Sequence, residues 1–360
     1  MITKPQTFFE KYRAERSAKI AIVCDVSPGL ISAVYYDLAL HRRYARAAVS
    51  GFPYGAQVVG EVLIRLITES MREFGIPASA VRSVGIAADS YIEMALEESL
   101  SPEALFLAPD TEIFFVPFIS AAIGGRFTAM LLTLPDEDCT AADLGKSLCV
   151  CAKHENHYTC AAFRLSGAFD GTGLDSGMPA ENGAIDAVRR DSDGIIAYEV
   201  VGDGESAGVS PCGALMALGI MLDTGALDPD GIMTDRDLFF IGEDYFLSQS
   251  DVRAVQADKA GAAAALSLLP KADRAFFSGE LFSTAAGLKA LLRLGGFPDW
   301  CEKAAFCRNS SEQGIILCLE DPKLRERAYE IAKNAEDITQ TLLPEFDRKY
   351  FDFLSFPRNK

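Results

Sequence analysis

The chain has 360 residues, a formal net charge of −17 and 49% hydrophobic residues. This length suits two domains with substantial cores, and the composition is that of a globular protein rather than a disordered one. The sequence has no run of Lys or Arg residues, which argues against nucleic acid as a partner. The uncharged stretches Ile113–Gly125 and Ala207–Leu222 fall short of the roughly 18 apolar residues of a membrane span. The charged N-terminus lacks an apolar signal core, so we expect a cytoplasmic protein.

The chain begins with a predicted lead-in over residues 1–17, in which Phe8, Phe9 and Tyr12 recur at helical spacing. A first lobe is predicted over residues 18–138. It opens with an apolar strand that ends in Asp25, and a turn containing Ser27-Pro28-Gly29 follows. Strands then alternate with amphipathic segments, which implies that part of the sheet is parallel. The predicted helices are Gly55–Phe74, Ile92–Leu100 and a segment that follows Gly124-Gly125 and runs through Leu132, and the predicted strands are Ser83–Ala88 and Ile113–Pro117.

The second lobe, predicted over residues 139–360, opens with a turn that could bind phosphate. Asp143-Leu144-Gly145-Lys146-Ser147 combines a carboxylate, a glycine and a hydroxyl, which lets backbone N–H groups approach an anion while the Asp holds magnesium through water. The alternative is an ordinary hairpin turn, because the same residue types fill turns for conformational reasons. A predicted hairpin and a glycine-rich loop, Gly167–Gly183, follow this turn.

An Asp that leads from a strand into a turn occurs twice, at Asp25 and at Asp143. The recurrence indicates a duplicated α/β fold whose two lobes face each other across a cleft. We therefore expect both carboxylates to reach a shared, water-accessible gap from opposite lobes.

Nine cysteines are present, but there is no C-x2-C pair, and several lie in apolar strands where Cys behaves as a small hydrophobe. We expect buried thiols rather than an iron–sulfur or zinc site. The pair His154 and His157 lies at the predicted hairpin tip without a further ligand at zinc-site spacing, which favours a solvated turn.

Farther along, Pro211 marks the start of a helix that runs to about Thr224, and Ser250 is a plausible N-cap of the next helix. On that helix Arg253, Gln256 and Lys259 recur at three-residue spacing. Such a row could reach a nucleotide or a partner's carboxylate, or it could be an ordinary solvated face. Both interpretations stay open.

A strand over Arg274–Ser278 leads into Gly279-Glu280 and a helix over Ser283–Leu294. Glycine between a strand and a helix N-terminus is a frequent site of ligand contact with backbone. The tail, Asp321–Lys360, is predicted as a charged amphipathic helix whose aromatic end, Phe346–Phe356, packs on the body of the protein.

The order of these segments resembles a known family, the actin-like, sugar-kinase-like ATPase domain of the reductive activators of corrinoid proteins. The resemblance covers residues 139–357 well and residues 18–138 weakly. The segments that carry it are Ser166-Gly167-Ala168-Phe169-Asp170-Gly171, Gly177-Met178-Pro179-Ala180, Gly183-Ala184-Ile185, Gly208-Val209-Ser210-Pro211-Cys212-Gly213, Leu247–Arg253 with Gln256 and Lys259-Ala260, and Phe356-Pro357.

The resemblance implies a duplicated RNase H-like (actin-like, sugar-kinase-like) α/β fold with ATP and magnesium in the cleft, and a homodimer. It implies that Asp25 and Asp143 position the metal and act in catalysis. The residues that it places at the nucleotide are Gly29, Gly145, Lys146, Ser147, Gln256, Lys259, Gly279 and Glu280. In such family members, ATP hydrolysis accompanies electron delivery from an appended ferredoxin-like domain to a cobalamin-bearing partner.

The sequence also departs from the family pattern. It has no ferredoxin-like segment and no cluster cysteines, so we expect no iron–sulfur cluster. The first phosphate turn, Asp-x-Gly-Thr-Thr in the family, is Asp25-Val26-Ser27-Pro28-Gly29, where Pro28 removes a backbone donor. The second turn loses its Gly-Glu end, and the adenosine-side Gly-Gly-Phe-Gly is Gly279-Glu280-Leu281-Phe282. These changes predict weak or lost hydrolysis.

The leading hypothesis is an accessory or regulatory protein of corrinoid-dependent methyl transfer, with a corrinoid protein or methyltransferase as its partner. The alternative is a non-catalytic pseudo-ATPase that docks the same partner through Gly167–Gly183. A small-molecule kinase is disfavoured, because no catalytic base is evident beside the cleft motifs.

Overall fold

A computed structural model describes residues 5–53, 55–234, 237–282, 285–307 and 309–357. The chain forms two compact units. The N-terminal unit comprises Ile2–Pro135 and Asn309–Asp337, and the C-terminal unit comprises Asp136–Arg308 and Ile338–Lys360.

The strands, in chain order, are β1 (Gln6–Lys11), β2 (Ile20–Val26), β3 (Leu30–Asp37), β4 (Arg42–Ser50), β5 (Val81–Ala88), β6 (Glu112–Phe115), β7 (Cys139–Asp143), β8 (Ser147–His154), β9 (His157–Arg164), β10 (Ala184–Arg190), β11 (Ile196–Val200), β12 (Gly208–Val209), β13 (Leu238–Phe240), β14 (Phe246–Ser248), β15 (Ala275–Ser278), β16 (Ala305–Phe306) and β17 (Glu336–Asp337). The α-helices are α1 (Ala56–Glu73), α2 (Ser90–Ser99), α3 (Gly125–Leu132), α4 (Pro211–Thr224), α5 (Gln249–Ser267), α6 (Ala285–Arg293), α7 (Ser310–Glu320), α8 (Pro322–Asn334) and α9 (Thr339–Asp352).

The N-terminal unit is built on a sheet with the strand order β1-β4-β3-β2-β5-β6. Strands β2, β5 and β6 run parallel to one another, whereas β3, β4 and β1 are added as antiparallel neighbours. The predicted helical lead-in is wrong, because Gln6–Lys11 pairs with β4 as an edge strand. Three aromatic residues at helical spacing were too few to reveal the backbone pairing that β4 offers.

Helix α1 covers the core of this sheet as the sequence predicts. It begins after Gly55 and ends before Gly75, whose φ of 63° gives the left-handed conformation that stops the helix. Val59, Leu63 and Ile67 lie on its buried face. The 3.6-residue period of these apolar positions explains why the helix was predicted within about two residues.

The sheet of the C-terminal unit contains β16-β15-β7-β8-β9 in that order. This repeats the order β6-β5-β2-β3-β4 of the N-terminal unit, with the same parallel and antiparallel relations. In the two sheets Asp25 and Asp143 occupy equivalent places, each near the end of a strand whose parallel neighbour is β5 or β15. The predicted duplication of an α/β fold is therefore confirmed.

Helices α4 and α5 of the C-terminal unit both begin after a side-chain cap. Ser210 precedes α4 and accepts the N–H of Gly213, as expected for a helix that begins at Pro211. Helix α5 begins two residues earlier than predicted, with Ser248 rather than Ser250 as its N-cap. Asp251, three residues after Ser248, completes a reciprocal capping box, which decides between the two serines.

The tail is divided between the units, because α8 belongs to the N-terminal unit and α9 to the C-terminal unit. The prediction that its aromatic end packs on the body is confirmed. The ring of Phe346 stacks on Phe163 with centroids 4.0 Å apart, and Phe356 is 3% exposed. Residues 358–360 of the predicted tail, and Ser283 at the predicted start of α6, lie outside the described residues.

Eight of the nine cysteines are buried and Cys307 is half-buried, which confirms the prediction of core thiols. Within the described ranges, no group of three His, Cys, Asp or Glu side chains is arranged to hold a metal ion. His154 and His157 face each other where β8 turns into β9, so they form the predicted hairpin tip. A bilayer-spanning helix is likewise not found among the helices of the described segments.

Candidate functional site

The predicted phosphate turn connects β7 to β8 in the C-terminal unit. Asp143 ends β7 and is 7% exposed, and Ser147 begins β8. The next residue after Asp143, Leu144, donates its N–H to the carbonyl of Ser278 at 2.8 Å. The turn after β7 is thereby hydrogen-bonded to the end of β15, where Gly279 follows.

Gly279 packs directly on this turn. Its φ is 125°, and a Cβ at this position would lie 2.3 Å from the carbonyl oxygen of Leu144. Only glycine fits this contact, and Glu280 then begins a short 3₁₀ turn. The structure thus brings together two predicted segments, Asp143–Ser147 and Gly279-Glu280.

Gly145, at the centre of the phosphate turn, is different. A Cβ built on Gly145 meets nothing within 4 Å, and its φ is not in the left-handed region. Packing within the C-terminal unit therefore does not require glycine at this position. A glycine in open space is what close approach of a ligand to the backbone needs.

Asp170 lies beside this turn, and sequence analysis assigned it no role. It is 3% exposed, and its Oδ1 accepts the N–H of Thr172 at 2.9 Å and the Thr172 hydroxyl at 2.5 Å. Burial raises the pKa of Asp170, while the bonds from Thr172 and the charge and backbone N–H of Lys146 act in the opposite direction. The available signal was its place in the segment Ser166–Gly171, where a carboxylate interrupts small and apolar residues.

The other oxygen of Asp170 has no regular hydrogen bond. Its Oδ2 is buried without a partner at normal distance and angle among the described residues. Lys146 also accepts the N–H of Leu165 through its carbonyl, at 2.8 Å. The phosphate turn and the start of the glycine-rich loop are therefore joined at Lys146.

Acidic side chains of α5 hold the glycine-rich loop. Asp258, with no exposed surface, accepts the backbone N–H groups of Ser166, Gly167 and Ala168 at 2.6, 3.1 and 2.8 Å. Asp251 accepts the N–H of Asp175 at 2.7 Å. These carboxylates satisfy the backbone N–H groups of residues 166–168 and of Asp175, so α5 fixes the loop at these positions.

Two residues of the predicted polar row on α5, Gln256 and Lys259, are buried, whereas Arg253 is exposed. Lys259 has no exposed surface; its ammonium donates to the carbonyls of Phe353 and Ser355 and lies 5.2 Å from the centre of the Phe356 ring. Burial lowers the pKa of Lys259 to about 8.

Gln256 is 4% exposed, and its Oε1 accepts Nη1 of Arg253 at 2.6 Å. The alternative of a solvated helix face is wrong for Gln256 and Lys259, which are buried and bond to other residues of the C-terminal unit.

In the N-terminal unit, Asp25 is surrounded by protein donors. Nε and Nη2 of Arg126 donate to its Oδ1 and Oδ2 at 2.5 and 3.5 Å, and the Ser311 hydroxyl also donates to Oδ2. In the turn that follows, the Ser27 hydroxyl donates to the carbonyl of Leu30 and accepts the Leu30 N–H. Gly29, which was predicted to contact the nucleotide, is buried in this turn. Both Asp25 oxygens are thus engaged, and the carboxylate does not fit the predicted role of magnesium ligand in this arrangement.

The chain is similar to a protein family, to a curated protein and to a solved structure. The sequence profile of a family described as the C-terminal domain of RACo, the ASKHA domain, matches residues 139–360. The corrinoid activation enzyme RamQ of Eubacterium limosum is 28% identical, over 42% of this chain and 30% of the relative. The chain thus spans less than a third of the length of that curated relative.

A solved structure titled reductive activator for corrinoid, iron-sulfur protein has the same fold. Its TM-score is 0.83 at 17% identity, and the match covers 97% of this chain and 67% of that one. At this level of identity the similarity shows the fold alone, and it confirms the predicted actin-like architecture.

Proposed function

Because the chain belongs to the family of the C-terminal ASKHA domain of RACo, we propose that it is an accessory or regulatory protein of corrinoid-dependent methyl transfer. In this proposal it binds ATP with magnesium in the C-terminal unit and hydrolyses it weakly or not at all. Its partner is a corrinoid protein or a corrinoid methyltransferase. We further propose a cytoplasmic homodimer.

The observation that supports nucleotide binding is the open phosphate turn at Gly145. The turn is flanked by Gly279 and by the buried carboxylate of Asp170, and Lys146 supplies a cation. A nucleotide phosphate would accept backbone N–H groups of the turn and the ammonium of Lys146. Asp143 is the carboxylate that would hold magnesium here, and magnesium would neutralise phosphate charge.

The direct test is titration calorimetry with magnesium-ATP on the full chain. We expect binding in the micromolar to millimolar range, and at least about tenfold weaker binding for Lys146→Met, since one charge-assisted contact to phosphate is lost. Lys271→Met, which removes an exposed lysine of the same unit, is the matched control and should bind as the wild type does. Absence of binding at millimolar nucleotide would reject the ATP-binding proposal.

A second candidate is a non-catalytic module that docks a corrinoid protein through Gly167–Gly183. It is favoured by the engaged state of Asp25 and by the rigid attachment of the loop to α5. Purified corrinoid protein retained equally with and without ATP would favour this module. Retention that changes with ATP would favour a nucleotide-dependent regulator instead.

A further inference from the structure

We propose that Arg126 takes the place of a metal ion at Asp25, so that the N-terminal unit neutralises this carboxylate with a permanent internal cation. The turn after β2 then needs no magnesium. The inference concerns the N-terminal unit and does not require that the protein bind ATP.

The geometry at the Asp25 carboxylate supports this assignment. Nε of Arg126 lies 2.5 Å from Oδ1, Nη2 lies 3.5 Å from Oδ2, and the Ser311 hydroxyl donates to Oδ2 as well. The side chains of Arg126 and Asp25 are only 16% and 17% exposed. A guanidinium in this position stays charged at any physiological pH, and it matches the carboxylate in charge and in geometry.

Arg126 is held in place by its own backbone. It is the second residue of α3, whose start is packed too tightly to shift. A Cβ at Gly124 would lie 2.4 Å from the carbonyl of Ala88, and one at Gly125 would lie 2.1 Å from that of Val116. The start of α3 is thus packed against two segments of the N-terminal unit. Arg126 therefore extends to Asp25 from a fixed backbone position.

A second ion pair lies next to Ser311. The next residue, Glu312, is 3% exposed and pairs with Nε of Arg43 at 2.5 Å. The site therefore already contains two carboxylates, each matched by an arginine. A divalent cation would have to displace the guanidinium from Asp25 and break a partly buried ion pair, which is unfavourable.

Divalent metal bound by this protein, with or without nucleotide, is held without Asp25. Where the proposed nucleotide binding in the C-terminal unit holds, magnesium there depends on Asp143 and is unaffected by substitution of Asp25.

The test measures how much Mn²⁺ the protein binds, with Mn²⁺ alone as the probe and electron paramagnetic resonance detecting the ion that stays free. The proteins compared are the wild type, Asp25→Asn, Arg126→Gln and the double variant. We expect Asp25→Asn to bind as much Mn²⁺ as the wild type, within twofold. We expect Arg126→Gln to bind additional Mn²⁺ that the double variant loses. A fall in Mn²⁺ binding for Asp25→Asn in the wild-type background overturns the proposal.

A second measurement covers the case of variants that fold poorly. In EDTA, a double-mutant cycle on Asp25 and Arg126 should show coupling of at least tenfold in the unfolding equilibrium constant, with Arg126→Lys recovering part of it. Coupling below twofold overturns the proposal. Failure of ATP to bind, measured separately by calorimetry, would reject the nucleotide proposal and leave this inference standing.

Discussion

Asp258 on α5 accepts the backbone N–H of Ser166 at 2.6 Å, and the same carboxylate also binds the N–H groups of the next two residues. One side chain without exposed surface thus fixes the start of the glycine-rich loop. Burial raises the pKa of Asp258, and the backbone donors offset part of that rise. Among the described contacts, the N–H groups of residues 166–168 are satisfied by this carboxylate rather than by a strand, so the conformation at the start of the loop depends on Asp258.

Substitution of Asp258 should release the loop. For Asp258→Asn we expect a loss of about 2–3 kcal/mol in the free energy of unfolding, since an amide can satisfy fewer of the three donors and carries no charge. Hydrogen exchange at residues 166–168 should accelerate more than exchange in β8 and β9. Asp347→Asn, on the exposed side of α9, is the control and should change neither quantity. Unchanged loop exchange in Asp258→Asn would show that α5 does not hold the loop.

Two glycines of the candidate site should respond oppositely to the same substitution. Gly279→Ala forces a side chain into a left-handed φ and against the Leu144 carbonyl, so we expect a destabilisation of at least about 2 kcal/mol. Gly145→Ala meets open space, so the free energy of unfolding should change by less than about 1 kcal/mol. Chemical denaturation of both variants measures the difference.

Calorimetry separates structural from ligand-binding effects in the same pair. Gly145→Ala should fold normally yet bind magnesium-ATP more weakly, because its methyl group occupies space that a phosphate would use. Wild-type affinity in a folded Gly145→Ala protein would place the nucleotide elsewhere.

Much of the fold was accessible from the sequence. Apolar periodicity located α1 and the strands β5 and β6 within about two residues, and the repeated strand-Asp-turn pattern at Asp25 and Asp143 predicted the duplication that the two sheet orders confirm. Edge strand β1 was missed, because an edge is stabilised by backbone pairing to β4, which leaves little trace in side-chain pattern.

The site was less accessible, because its residues act through contacts between distant segments. Asp170 stands in a glycine-rich segment where Asp is also a common turn residue, so only its burial beside Lys146 distinguishes it. Lys259 was assigned to a nucleotide, to a partner's carboxylate or to a solvated face, because a helical row does not reveal that residues near the C-terminus cover it. The engagement of Asp25 depends on Arg126, about a hundred residues away in sequence.

The tail should be sensitive to Lys259. For Lys259→Met we expect faster hydrogen exchange at residues 353–356, because the carbonyls of Phe353 and Ser355 lose their donor. Lys271→Met, on the surface of the same unit, is the control.

The pH dependence of stability should also change in Lys259→Met. The pKa of Lys259 is about 8 in the folded protein and higher in the unfolded chain, so below pH 8 burial of the charged ammonium lowers stability in full. As the pH rises from 8 toward the unfolded pKa, the folded protein loses this proton before the unfolded chain does, and stability rises. Between pH 8 and pH 10 the free energy of unfolding of the wild type should therefore rise by on the order of 2 kcal/mol relative to that of Lys259→Met. Parallel stability curves for the two proteins over this range would contradict the burial of a charged Lys259.

Glu93 on α2 should make the stability of the N-terminal unit depend on pH in the opposite sense. It is 1% exposed, and its Oε2 has no hydrogen-bond partner in the described part of the chain. Burial raises the pKa of Glu93 to about 8; the charge of Glu97 adds to the rise, and the N–H of Gly125 offsets part of it. An acid with a raised folded pKa binds its proton more tightly in the folded state than in the unfolded state.

Stability should therefore fall as pH rises from about 4.5 to 8, at up to about 1.4 kcal/mol per pH unit from this group alone. Glu93→Gln, which resembles the protonated acid, should remove this contribution and be the more stable protein at pH 8, while differing little from wild type near pH 4.5. Glu98→Gln removes an exposed carboxylate from the same helix and should keep the wild-type slope. Denaturant unfolding at half-unit pH steps distinguishes the three proteins, and a Glu93→Gln curve parallel to the wild type would mean that Glu93 is ionised in the folded state at little cost.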